Sequence, residues 1–230
     1  MTTDLSQACW PALADQRDAI LAVPLGSTEQ HGPHLPLSTD TKIAVTLCAR
    51  LQARRPADVF VAPPLPYGSS GEHAAFPGTL SIGQDALELV LVELGRSATE
   101  TFGHVVFVSG HGGNLAPLHR AVTKLTAESR NVLAFMPRSD GDAHAGRTET
   151  SVMLAIAPAS VRCAEAVRGD TRPLADILPQ LRSGGVRAVS ESGVLGDPTG
   201  ATREEGELIL AAFTTQLIDS VEHWREPAQS

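Results

Sequence analysis

Glu29 and His31 stand one residue apart in the stretch PLGSTEQHGPHLPLSTDT, and Asp40 closes the same stretch. A further imidazole, His111, sits in SGHGGN, and His144 and Glu149 share the segment DAHAGRTETS. Imidazole and carboxylate together are donors that suit Zn²⁺, Mn²⁺ or Fe²⁺. In an extended chain, alternate residues project to the same side, so Glu29 and His31 point toward one place. Asp40 returns at the far end of a loop stiffened by Pro33 and Pro36, and a carboxylate has two oxygens with which to bridge two cations. The glycines around His111 let backbone approach closely and leave its ring free to face a crevice.

Residues so far apart in sequence can meet only if regular elements bring them together. Ala19–Pro24 is a short apolar run that reads as a buried strand, followed by a helix over Thr41–Arg55 capped by Asp40 or Thr41. Val59–Ala62 reads as a second strand, stopped by two prolines. The irregular stretch PLPYGSSGEHAAFPGTLSIG comes next; its length in a compact chain marks a functional loop, and Tyr67 and Phe76 are expected to line a groove. Helical spacing of Leu87, Val90, Leu91, Leu94 and Ala98 predicts a helix over Gln84–Phe102. Strands are expected at His104–Ser109 and Asn131–Met136, and helices at Leu115–Thr126 and Thr148–Ile156. Thr171–Glu191 reads as loop-rich. A last helix starts near Thr202, with Glu205 in a capping box and Leu210, Phe213, Leu217 and Val221 on one face.

This alternation predicts an α/β fold, a three-layer sandwich with a mostly parallel sheet, in one domain over residues 1–230. In such folds ligands lie beyond the carboxyl ends of the strands. Glu29, His31 and Asp40 follow the first strand, His73 the second, His111 the third, and His144 and Glu149 the fourth. They are therefore expected to converge on one crevice.

The chain of 230 residues is 42% hydrophobic with a net charge of −8. That balance argues against a nucleic-acid or acidic-membrane partner, both of which favour a basic face. The three cysteines form no CxxC pair, which fits a reducing, cytoplasmic setting. The first residues lack a basic segment followed by an apolar core, so no secretory signal is read there, and no apolar run is long enough to span a bilayer. The tail EPAQS carries no interpretable feature.

Isolated histidines are most often solvated or capping residues, and His104, His119 and His223 are read that way. His34 and His73 are read either as supports behind metal ligands or as substrate contacts. No G-x-S-x-G, G-x-G-x-x-G or G-x-x-x-x-G-K-[ST] motif follows a strand, so serine hydrolase, dinucleotide and P-loop readings lack support.

GSTEQHGPHLPLSTDT, PYGSSGEHAAFPGTLSIG, SGHGGN and DAHAGRTETS, in that order, resemble the motifs of the creatininase (creatinine amidohydrolase) family. The resemblance runs from about Leu21 to Gly206. Within the family the sequence is most similar to the branch that acts in mycofactocin biosynthesis, through GSSGEHAAFPGT, GDAHAGRTETS and GVLGDPTGAT. The resemblance implies a creatininase-like fold, a homo-oligomer, and two divalent metal ions, Zn, Fe or Mn. It implies that Glu29 and His111 hold one ion and His31 the other, with Asp40 between them. Creatinine-hydrolysing members carry a glutamate shortly after the histidine of the Gly-rich turn. Here that position is Gly113, which speaks against creatinine as substrate and leaves Glu149 to complete the second ion's ligands or to face the reacting water. His144 matches the family's substrate-facing histidine, and it or Glu149 would pass a proton to the leaving amine. The implied substrate is a modified precursor peptide from which a C-terminal Val-Tyr dipeptide is released. A small cyclic amide or formamide is the alternative substrate. A non-catalytic peptide-binding subunit is the alternative role.

Overall fold

Four strands form one parallel sheet in the order β2-β1-β3-β4, with β1 Gln16–Leu25, β2 Val59–Val61, β3 Phe102–Ser109 and β4 Val132–Phe135. The computed structural model describes residues 3–226; most of the EPAQS tail lies outside them. Along β1 every residue from Ala19 to Leu25 is buried, and alternate side chains go to opposite faces. Leu21, Val23 and Leu25 pack with Val105 and Phe107 against helices α2 (Gln84–Ala98) and α3 (Leu115–Ala127). Ile20 and Ala22 pack with Val106 and Val108 against α1 (Thr39–Arg54), α4 (Arg147–Ile156) and the long α6 (Arg203–Arg225). A strand buried on both faces reads as an unbroken apolar run, and these two cores make the three layers, helix, sheet and helix. No helix among the described residues is long and apolar enough to cross a membrane.

Several boundaries differ from the sequence expectations. Helix α1 starts at Thr39 with Ser38 as its cap residue, so Asp40 lies inside the first turn instead of capping it. The predicted Gln84–Phe102 helix ends at Ala98, and Phe102 already opens β3. The largest correction is Thr171–Glu191. It holds a helix, α5 (Leu174–Gly184), despite an internal Pro179. Leu174, Ile177, Leu178 and Leu181 recur at helical spacing there. Ile177 is buried in a small satellite core with Phe76, Val186 and Leu195, which compensates for the backbone hydrogen bond that Pro179 cannot make. At α6, Thr202 accepts from the backbone N–H of Glu205, as the capping-box reading expects.

Candidate metal and catalytic site

The loop after β1 folds back on itself before α1 begins. The Glu29 N–H donates to the Leu37 carbonyl at 3.1 Å, His31 pairs with Leu35, and Gly32 takes a φ of +66° at the turn. Glu29 and His31 are thereby carried to the first turn of α1, where Asp40 sits. The same turn presses against the end of β3: a Cβ on Gly110 would lie 2.3 Å from the Asp40 carbonyl oxygen, so only glycine permits the approach. The Ser27 hydroxyl donates to Asp40 Oδ2 at 2.6 Å and orients the carboxylate.

Asp40 stands between two histidines. Its Oδ1 lies 3.1 Å from His31 Nε2, and its Oδ2 lies 3.4 Å from His111 Nδ1. His111 Nε2 is 3.1 Å from Glu29 Oε2, and His31 Nε2 is 3.8 Å from Glu149 Oε2. The ligand-capable atoms fall into two adjoining sets that share Asp40: Glu29, Asp40 and His111, and His31, Asp40 and Glu149. A third set joins Glu29 and His31 to His144. All six residues predicted from sequence therefore meet in one place, although they come from separate strand ends.

The fit to cations can be tested on Glu29. Its side chain is fully buried, and neither carboxylate oxygen has a hydrogen-bond partner. A buried carboxylate without hydrogen bonds is expensive unless positive charge compensates it. Burial pushes this carboxyl upward, yet His111, His73 and His31 together hold it well below the usual range, so it is ionised. His31 is anchored by Nδ1, which donates to the Glu29 carbonyl at 3.1 Å and leaves Nε2 facing the carboxylates. Burial alone would lower the His31 ring, but Asp40, with Glu149 and Glu29, takes it up to about 10. His111 behaves alike: Glu29 and Asp40 overcome burial and raise it to about 10. Burial, reinforced by Asp40, pushes the Glu149 carboxyl up to about 7. Buried carboxylates clustered against imidazole nitrogens are a donor set that fits divalent cations.

Gln30, which sequence reading passed over, organises the next layer. Its amide nitrogen donates to His73 Nδ1 at 2.8 Å and to the Gly193 carbonyl at 3.1 Å. Its backbone carbonyl oxygen accepts from His144 Nε2 at 2.9 Å. His144 therefore turns Nδ1 inward, 3.9 Å from Glu29 Oε1. Burial and the neighbouring His31 and His73 hold the His144 ring well below its ordinary value, so it is neutral. His73 is kept neutral in the same way, lowered by burial to about 4, with Nε2 3.4 Å from Glu29 Oε1. The only signal for Gln30 was its place between Glu29 and His31, where strand-like alternation turns it the other way.

Glu72 is the second residue missed. Its carboxylate reaches 3.5 Å from His111 Nε2, beside the bare Cα of Gly113. His34 stays behind the cluster, with Nε2 2.9 Å from the Thr150 hydroxyl oxygen on α4. Phe76 is buried beneath α5, and Tyr67 is exposed and absent from the cavity lining, so neither forms the expected groove wall. His104 packs edge-on against Trp224, and His119 and His223 are exposed, all outside the site.

The cluster opens into a cavity of about 750 Å³. Asp40, Glu72, His73, His111, His144 and Glu149 line one side of it. A family model described as creatinine amidohydrolase matches residues 6–221. The chain is 53% identical over 212 residues to a mycofactocin precursor peptide peptidase of Mycolicibacterium smegmatis, covering 90% of this chain and 85% of that one. To the protein of the same name from Mycobacterium tuberculosis it is 50% identical over 214 residues, covering 89% and 85%. To a creatinine amidohydrolase of Pseudomonas putida it is 27% identical over 240 residues, covering 89% of each. Among solved structures, a creatininase carrying a single tryptophan-to-phenylalanine substitution superposes with a TM-score of 0.82 at 25% identity, over 98% of this chain and 100% of that one. A manganese form of creatininase gives 0.82 at 24% identity, over 99% and 100%.

Proposed function

Because this chain belongs to the creatininase family of amidohydrolases, we propose that its buried cluster hydrolyses an amide inside a peptide, namely the modified mycofactocin precursor, releasing its C-terminal Val-Tyr dipeptide. The observation that carries the hydrolase reading is Asp40 flanked by two ligand sets, with Glu29 buried beside it and its carboxylate oxygens without hydrogen bonds. The peptide reading is supported by the relatives at 50% identity and above, set against 27% for the creatinine-acting relative. It is also supported by Gly113, which offers no carboxylate at the position creatinine-hydrolysing members use.

In this reading Glu29, Asp40 and His111 would hold one divalent ion, and His31, Asp40 and Glu149 would hold the other. Zinc, manganese or iron would suit these donors. Such ions, when bound, supply charge that polarises an amide carbonyl and acidifies water. The chain's own residues do the rest. Asp40 fixes the spacing of the two sets through its separate oxygens. The Ser27 hydroxyl, donating to Oδ2, holds the carboxylate in that orientation. His144, held through Nε2 on the Gln30 carbonyl, keeps Nδ1 unprotonated toward the cavity. That nitrogen is placed to take up a proton and pass it to the leaving amine, a service worth roughly 10²–10⁴-fold. Free cysteines suit a cytoplasmic setting, and a homo-oligomer belongs to this reading through the family resemblance.

The test is a side-by-side assay of the modified precursor peptide, creatinine and a formamide-type substrate with metal-loaded protein. Release of the dipeptide with little turnover of the small amides is expected. Turnover of creatinine with no peptide cleavage refutes the peptidase assignment. Purified protein that binds the peptide, carries one ion or none, and cleaves nothing favours the non-catalytic reading.

A further inference from the structure

Part of the cavity lining is an apolar surface on α5, next to Arg182 and Ser183. Leu174, Leu178 and Leu181 form one stripe along α5 and line the same cavity as His111 and His144, together with Leu115 and Met136. Leu174, Leu178 and Leu115 are not packed away. Leu174 is 50% exposed and Leu115 37%, while Leu178 and Leu181 are half-buried. On the same apolar face of α5, Ile177 is buried against the satellite core of Phe76, Val186 and Leu195, and Leu181 packs against that core as well. The helix is thus anchored along one edge of that face and presents the remainder, Leu174 and Leu178 foremost, to the open cavity. Apolar side chains facing an accessible cavity next to a polar cluster are the usual make-up of a ligand pocket. The volume, about 750 Å³, lies well inside the range that encloses a drug-sized ligand and far exceeds the need of one small ring amide.

Resting on the peptidase reading, we infer that α5 is the specificity wall, and that its Leu174–Leu178–Leu181 stripe receives apolar side chains of the peptide next to the scissile amide. The occupant is a peptide with aliphatic or aromatic residues at that point. Uncharged polar residues are disfavoured against the leucines, because they would lose water there without gaining a partner. Discrimination of about 10- to 100-fold is expected from apolar contact of this extent.

The experiment uses zinc-loaded full-length protein and two fluorescein-labelled synthetic peptides, identical except that one ends in Val-Tyr and the other in Ser-Asn. Dissociation constants are read by fluorescence polarisation, with metal content measured on every sample. The wild-type protein is expected to bind the Val-Tyr peptide at least 10-fold more tightly. Leu178→Asp should erase that preference while metal content stays unchanged. Leu174→Asp, at a half-exposed position where folding is not at stake, should weaken the preference in the same direction. Equal binding of both peptides by the wild type, or an undiminished preference in both variants, overturns the inference. Should the wild type cleave the modified precursor yet show no preference, the wall is wrong and the peptidase reading stands. Should it show the preference and cleave no peptide, the wall stands and the peptidase reading falls.

Discussion

Adding a single methyl group at Gly113 should disable the site. A Cβ there would lie 2.4 Å from the Ser69 carbonyl oxygen, 2.4 Å from His111 Nε2 and 2.5 Å from Glu72 Oε1. Each approach is nearly 1 Å closer than ordinary contact. Glu72 can swing away, since its carboxylate ends a flexible chain. The Ser69 carbonyl cannot, because the Ser69 N–H donates to Asn114 Oδ1 at 2.9 Å and Asn114 in turn donates to the Gly26 carbonyl at 2.9 Å. The His111 ring must therefore move, and it is the residue within reach of both Glu29 and Asp40. Overpacking of this kind costs about 1–3 kcal/mol of stability. A ligand displaced by about 1 Å costs on the order of 10²-fold in turnover. Gly113→Ala is therefore expected to lower metal affinity by about 10- to 100-fold and turnover by roughly 100-fold at saturating metal. Metal content after dialysis, a urea midpoint and peptide turnover test this together. Gly113→Glu meets the same clash at its first side-chain atom and should gain no creatinine hydrolysis. Native metal content and native turnover in Gly113→Ala would refute the reasoning.

Further predictions concern the shared carboxylate, the supporting layer, protons and the core. Asp40→Ala should lose both ions, as read by elemental analysis, and all peptide cleavage; retention of either ion would show that the two sets are independent. Gln30→Ala frees the His73 ring and loosens the backbone that holds His144, but touches neither of the two sets that share Asp40, so turnover should fall by about 10- to 100-fold with metal content intact. In metal-free protein His31 and His111 are raised to about 10, above the ordinary 6.5. Their contribution to metal-free stability is full below pH 6.5 and fades as pH rises toward 10. Ligation needs neutral rings, so metal uptake at pH 7 should release protons, and affinity should climb with pH by up to about tenfold per unit for each proton displaced. An indicator dye that records no proton release on zinc addition would contradict this. Leu217→Ala, at a fully buried position on α6, should cost about 2–5 kcal/mol in chemical denaturation without changing the ligand set.

The sequence alone carried the elements that span the sheet and the identity of the donors. Ala19–Pro24 suits a doubly buried strand, because its short apolar run, closed by Gly26, has no polar face to turn to water. The loops after the strands named their own chemistry, because histidines and carboxylates among prolines and glycines have no core to fill. Tertiary structure decided how those donors are shared. Asp40 serves two sets because the return of the 29–37 loop and the close approach at Gly110 hold the first turn of α1 between His31 and His111. No sequence spacing encodes that division, since the partners lie on strands far apart in the chain. Gln30 and Glu72 acquired their roles only through contacts across the crevice. Helix α5 stayed hidden because Pro179 argues locally against a helix, and what outweighs it is the burial of Ile177 against residues from distant loops. Local chemistry is written in residue type, whereas the partition of ligands and the wall facing them arise from distances that only the folded chain sets.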